Sequence, residues 1–166
     1  AACPCRATAL GARKSDPRRG SQPGCDVAAT SRLSGTEAAA IVAAARACAD
    51  AARAETLRHF RRVDLDAESK AGAAFDPVTE ADRAAEQAMR GILSRRRPDD
   101  GILGEELGRV AGRSGLTWVL DPIDGTRAFI AGAPTWGVLV ALSDAYGPLF
   151  GLIDQPHIGE RFEGGL

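Results

Sequence analysis

Aromatic side chains are scarce in this chain, at 5% of its 166 residues. Packing between its helices must therefore rely on alanine and other small side chains, with Leu, Ile and Val filling the rest. The cysteines Cys3, Cys5, Cys25 and Cys48 show neither CxxC spacing nor a neighbouring histidine. They offer no zinc pattern and no disulfide framework, which leaves a reduced, cytoplasmic setting as the expectation. No apolar run approaches the about 18 residues that cross a bilayer, and the first residues lack the continuous apolar core of a signal peptide. The chain reads as soluble, with no membrane partner. A basic face is also missing: residues 34–166 carry 15 Arg and Lys against 20 Asp and Glu, while residues 1–33 carry six against two. Such a balance argues against nucleic acid as a partner and suits cation binding better. His59, near a helix end, and His157, in a turn, read as packing and loop residues rather than catalytic ones.

The composition that remains, 45% apolar, supports one real core and one globular domain. Residues 1–33 mix Arg, Gly, Pro, Ser and Cys without periodicity and are expected to form a disordered N-terminal extension. Order is expected over residues 34–166. Ser34 or Thr36 can cap a helix running towards Phe60, with Ile41, Ala45, Cys48, Ala52 and Leu57 along one side. A polar stretch from 63 to 77 follows. Thr79 is placed to cap a second helix, with Asp82 in the capping-box position, Ala84, Ala88, Ile92 and Leu93 as its buried side, and Pro98 as its stop. The remainder changes to short strands at 101–104, 117–120, 135–142 and 149–153, with one more beginning at Arg161. Two helices followed by a run of strands predict an α+β fold, both helices packed on one face of a largely antiparallel sheet. No element of the chain is left to cover the other face.

The run Asp121-Pro122-Ile123-Asp124-Gly125-Thr126 follows the apolar stretch 116–120. It sets two carboxylates three apart at a bend made by Pro and Gly, where both can face one hard cation. Glu105 follows an earlier strand and a glycine. If the two strands are neighbours, three carboxylates converge, and oxygen-rich ligation with room for water favours magnesium. A short helical turn beginning near Thr126 would present N–H groups to a phosphate oxygen, and a water near Glu105 and Thr126 is placed for in-line attack on phosphorus. Singly, DP and DG are turn signals and GEE is a solvated loop. Their common order at strand ends carries the functional reading.

Three segments, Asp76-Pro77-Val78-Thr79-Glu80-Ala81-Asp82, Gly104-Glu105-Glu106 and Trp118-Val119-Leu120-Asp121-Pro122-Ile123-Asp124-Gly125-Thr126-Arg127-Ala128-Phe129, together resemble the inositol monophosphatase family. Pro134-Thr135-Trp136 and Gly151-Leu152-Ile153-Asp154-Gln155-Pro156 look closest to its histidinol-phosphatase branch. The resemblance implies the first half of an αβαβα fold like that of inositol monophosphatase and fructose bisphosphatase, with the C-terminal αβ half absent and residues 34–166 a truncated portion. It implies a lithium-inhibited phosphomonoesterase using two or three Mg2+ ions on histidinol phosphate or inositol monophosphate. Glu105, Asp121 and the Ile123 carbonyl would hold a first metal, and Asp121 and Asp124 a second. Asp82 and Thr126 would orient the attacking water beside Glu105, and Asp124, Gly125 and Thr126 would hold the phosphate. Lys70 and Glu106 would be accessory, and the protein a homodimer. The family's second half supplies a Trp-Asp motif that completes the second metal site, and this motif is not found here. Two other readings follow: a nucleotide or sugar bisphosphate as substrate, or a non-catalytic remnant that binds cations or a partner.

Overall fold

The computed structural model describes residues 33–61, 67–69 and 77–166. The disordered extension expected for residues 1–33 falls, apart from Leu33, outside the described residues, as does Lys70. Helix α1 spans Gly35–His59. Its N-terminus forms because Ser34 is extended, at φ −67° and ψ 154°, and its Oγ accepts the Glu37 N–H at 3.2 Å. That bond satisfies one of the donors a first helical turn leaves open, and the Glu37 carboxylate favours the same end of the helix dipole. At the other end Phe60 turns extended while its N–H still reaches the Thr56 carbonyl.

Two three-residue strands, β1 (Ala67–Ser69) and β2 (Pro77–Thr79), pair antiparallel and lead into helix α2, Glu80–Arg96. The stretch from 63 to 77, read from sequence as polar, thus contributes residues 67–69 to a small ribbon. A six-stranded sheet follows. It consists of β3 (Gly101–Gly104), β4 (Gly108–Val110), β5 (Thr117–Asp124), β6 (Gly137–Ser143), β7 (Pro148–Gln155) and β8 (Glu160–Gly165), with the short helix α3 (Thr126–Ile130) after β5. Spatial order is β4-β3-β5-β6-β7-β8, and every pair is antiparallel except β3 with β5. The expected α+β layering, two helices on one face of a largely antiparallel sheet, is what the chain adopts.

The core lies between that face and the helix pair. From α1 it takes Ile41, Ala44, Ala45, Cys48, Ala49 and Ala52, and from α2 Ala85, Met89 and Leu93. The sheet supplies Trp118, Leu120, Val138, Val140, Leu142, Phe150 and Leu152. Alanines let the two helices approach closely, so the large volumes come from the strands. Each fully buried Leu or Val contributes about 1.5–3 kcal/mol relative to exposure. The single buried indole N–H in this layer, that of Trp118, donates to Asp100 at 2.9 Å, which removes the cost of leaving it dry and unpaired.

Two expectations about helix faces need correction. Leu57 is 41% exposed, because the α1 stripe ends in Thr56, whose hydroxyl folds back onto the Ala52 carbonyl at 2.9 Å. On α2 the buried positions are Ala81, Asp82, Ala85, Glu86, Met89 and Leu93, so the face is rotated from the Ala84, Ala88 and Ile92 stripe read from sequence. The rotation brings two carboxylates inward. On the opposite face of the sheet, Leu103, Val119, Ile153 and Phe162 are all exposed.

Candidate active site

The motif run does not sit in a turn after a strand, as its Pro and Gly suggested; β5 continues through Asp124. Asp121 stands opposite Leu139 and Asp124 opposite Gly137, so three steps on β5 match two on β6. One extra residue has been inserted. In a regular strand, residues three apart face opposite sides of the sheet. The bulge cancels that, returning Asp124 to the side of Asp121 while Pro122 and Ile123 are buried. It also explains how a proline survives in an inner strand, since a bulge position need not donate to the ladder.

Beside it, β3 runs parallel with Leu103 opposite Val119 and Gly104 opposite Leu120. The Glu105 N–H extends the pairing by donating to the Leu120 carbonyl at 3.2 Å. Glu105 therefore leaves its strand next to Asp121, as the neighbouring-strand condition required. Asp82, in the first turn of α2, is 3% exposed. These acids act on one another. Burial, then the charge of Glu105 and a hydrogen bond with it, then the charges of Asp124 and Asp82, push the Asp121 carboxyl up to about 7. One Asp121 oxygen, Oδ1, is buried and has no hydrogen-bond partner.

Gly125 carries the chain from β5 into α3 with φ 87° and ψ 37°. A side chain there would be strained by that left-handed backbone and would press on the Thr135 carbonyl. The Gly125 carbonyl accepts from Ala128 and Phe129, which starts the short helix expected near Thr126. The first N–H groups of such a turn have no carbonyl within the helix to bond. The Thr126 hydroxyl donates to the Ile123 carbonyl at 3.1 Å, leaving that oxygen a second lone pair.

Oxygen-only donors, a raised carboxyl and an unpartnered buried oxygen suit a hard divalent cation, which would supply the charge that Asp121 lacks. Among the described residues, no three His, Cys, Asp or Glu side chains form a ready-made metal cluster. The donor chemistry fits a cation that keeps several of its own waters rather than a closed protein cage.

A model of the inositol monophosphatase family matches residues 36–165. The chain belongs to the inositol monophosphatase family. It is similar to the histidinol-phosphatase of Streptomyces coelicolor, 47% identical over 122 residues that make up 71% of this chain and 45% of that protein. The inositol-1-monophosphatase of Caulobacter vibrioides is 40% identical over 107 residues, 63% of this chain and 41% of that protein. Among solved structures, the extragenic suppressor protein suhB from Bartonella henselae superposes with a TM-score of 0.71 at 31% identity, covering 76% of this chain and 49% of its own. The chain spans about half the length of the relatives it matches.

Sequence reasoning missed two residues packed beside these acids in this inositol monophosphatase-family chain. Glu86 is fully buried and accepts the N–H groups of Glu106 at 2.7 Å and Leu107 at 3.2 Å. Arg90 pairs with Glu86 at 2.7 Å and also donates to the Gly108 carbonyl. A signal was present: Asp82, Glu86 and Arg90 recur every four residues, one line along a helix. Glu106, expected as an accessory residue, is half-buried next to Glu105 and is tied to α2 through its backbone. Beneath α3, the rings of Phe60, Phe129 and Trp136 meet at 4.8–5.3 Å. They form a second small core with Ala81 and Ile123, the residues next to Asp82 and Asp124. His157 is exposed, with its ring 4.8 Å from that of Phe60.

Proposed function

We propose that this chain carries the metal- and phosphate-binding part of a magnesium-dependent phosphomonoesterase acting on a small phosphorylated metabolite. The observation that supports it most is Asp121, whose interacting charges are all carboxylates and whose Oδ1 has no protein partner. Glu105, Asp121 and the Ile123 carbonyl are assigned to one cation and Asp121 with Asp124 to a second. Bound there, magnesium would neutralise charge developing on the phosphate and lower the pKa of the attacking water. The chain's own residues do the remaining work. Asp82 and Thr126 hold that water beside Glu105, and the N–H groups of Gly125 and Thr126 receive phosphate oxygens at the start of α3, where Asp124 borders the phosphate. The rigid aromatic core under α3 keeps those donors in place.

Histidinol phosphate is the substrate we favour, because the similar Streptomyces coelicolor protein is named a histidinol-phosphatase; inositol monophosphate is second. The test is release of phosphate from both compounds by the polypeptide of the full reading frame that contains these residues, with and without Mg2+. Mg2+-dependent hydrolysis lost in Asp121→Asn supports the reading. Hydrolysis untouched by Asp121→Asn contradicts it.

A second reading has its own observation. Leu103, Val119, Ile153 and Phe162 expose apolar surface on the sheet face away from the helices, which suits a cation-binding protein that associates with another polypeptide. Cation binding without hydrolysis of any phosphomonoester by the full reading frame would favour it.

A further inference from the structure

Three buried acids, Asp100, Asp154 and Glu86, differ in what they hold. Asp100 accepts from Arg97 and from the Trp118 indole, and Asp154 accepts from Arg53 and Arg161; all of these donors are side chains. Glu86 instead receives two consecutive backbone N–H groups, those of Glu106 and Leu107. Those two amides directly follow Glu105.

We propose that Glu86, braced by Arg90, is a positioning residue that fixes the backbone carrying Glu105. The inference rests on the assignment of Glu105 as a metal ligand. The segment after β3 is held from both sides. The Glu105 N–H goes across to the Leu120 carbonyl of β5, while the Glu106 and Leu107 N–H groups go down to Glu86 on α2. The Gly108 carbonyl is taken by Arg90, whose Nε is already bonded to the Glu86 carboxylate. The Glu105 side chain itself is exposed and interacts with Asp121.

Gly104 belongs to the same device. A Cβ at this position would collide with the Glu86 carboxylate and with Arg90, so the absence of a side chain lets α2 reach the loop. Asp82 lies one turn before Glu86 on the same helix line. One helix thus delivers the Asp82 carboxylate directly to the acid cluster and positions Glu105 by gripping the backbone that follows it. Carboxylate grips of this kind lower the entropy that a metal must otherwise remove from its ligands, and they act on affinity without touching the metal.

The test is carried out on the chain with Mn2+ as the probe cation, its binding read by electron paramagnetic resonance. Amide hydrogen exchange at Glu106 and Leu107 is measured in parallel without metal. Glu86→Gln keeps the shape and removes the charge. It is expected to speed exchange at both amides and to weaken Mn2+ binding about tenfold, the scale of outer partners of metal ligands. Arg90→Lys keeps a charge but cannot span Glu86 and Gly108 together, and should move both readouts the same way by less. Asp100→Asn serves as the control, because it disturbs another buried acid at the other end of β3. It should lower the melting temperature and leave Mn2+ affinity unchanged.

Faster exchange with unchanged Mn2+ affinity in Glu86→Gln and Arg90→Lys would overturn the proposal, as would an equal loss of affinity in Asp100→Asn. Should Glu86→Gln not fold, Arg90→Lys against Asp100→Asn decides. Asp121→Asn separates this from the site itself: if it abolishes binding while Glu86→Gln does not, the metal site stands and the positioning role falls. If Asp121→Asn binds as the unaltered chain does, the site assignment fails and takes this role with it.

Discussion

The two sides of the sheet treat carboxylates in opposite ways. At the β7–β8 side, acids are matched with guanidinium groups. Arg53 grips the fully buried Asp154 through two bonds of 3.0 and 2.6 Å, Arg161 joins Asp154 to Asp50, and Arg46 holds Glu163 on β8. At the β3–β5 side, the charges acting on Asp121 come from Glu105, Asp124 and Asp82. The first arrangement ties an edge strand to α1 and is complete within the chain. The second raises the Asp121 carboxyl and leaves its Oδ1 without a hydrogen-bond partner, and the proposed cation would supply the opposite charge. A protein retains such a conflict where the missing charge is supplied by what it binds.

Removing an acid should therefore have opposite signs on the two sides. Asp154→Ala removes the buried partner shared by two partly exposed arginines and should cost about 3 kcal/mol in urea unfolding, the low end of the scale for breaking a buried ion pair, with cation binding retained. Asp124→Asn removes a like charge near Asp121, and it should raise the melting temperature of the metal-free chain at pH 8. A fall there would break the comparison. Acidity sharpens it further. The Asp121 carboxyl is raised from an ordinary value near 4 to about 7, so folding favours its protonated form. The stability this contributes is full below about pH 4 and is lost as pH rises through about 7. Metal-free melting temperature should decline across that window, and Asp121→Asn should remove that part of the decline. The smallest effect lies far from both clusters: Ser34→Ala, which deletes the α1 cap, should cost about 1 kcal/mol and leave cation binding alone.

The convergence of Glu105, Asp121 and Asp124 in the candidate site was legible before the structure, for definite reasons. The aspartates alone read as turn signals, but their order with Glu105 at successive strand ends pointed to a shared site, and only the β3–β5 adjacency was needed to join them. The continuation of β5 through the motif was not legible. Proline and glycine signal a turn, and nothing local distinguishes a strand end from a bulge that spares proline its missing donor. The α2 face was misplaced because its buried line contains Asp82 and Glu86, and polar residues read as solvent-facing until their partners are known. The partners of Glu86 are the backbone amides of Glu106 and Leu107, 20 and 21 positions further along the chain and beyond the reach of helical periodicity. The three-residue strands β1, β2 and β4 are too short to show any alternation.

Whether Asp121 and its neighbours bind a cation is read from the thermal unfolding of the chain at pH 8 as Mg2+ is added, for the unaltered sequence and for Asp121→Asn. A ligand that binds the folded state alone raises the melting temperature with its concentration. A concentration-dependent rise is expected in the unaltered chain and none in Asp121→Asn; equal rises in both, or no rise in either, would mean that these acids hold no cation.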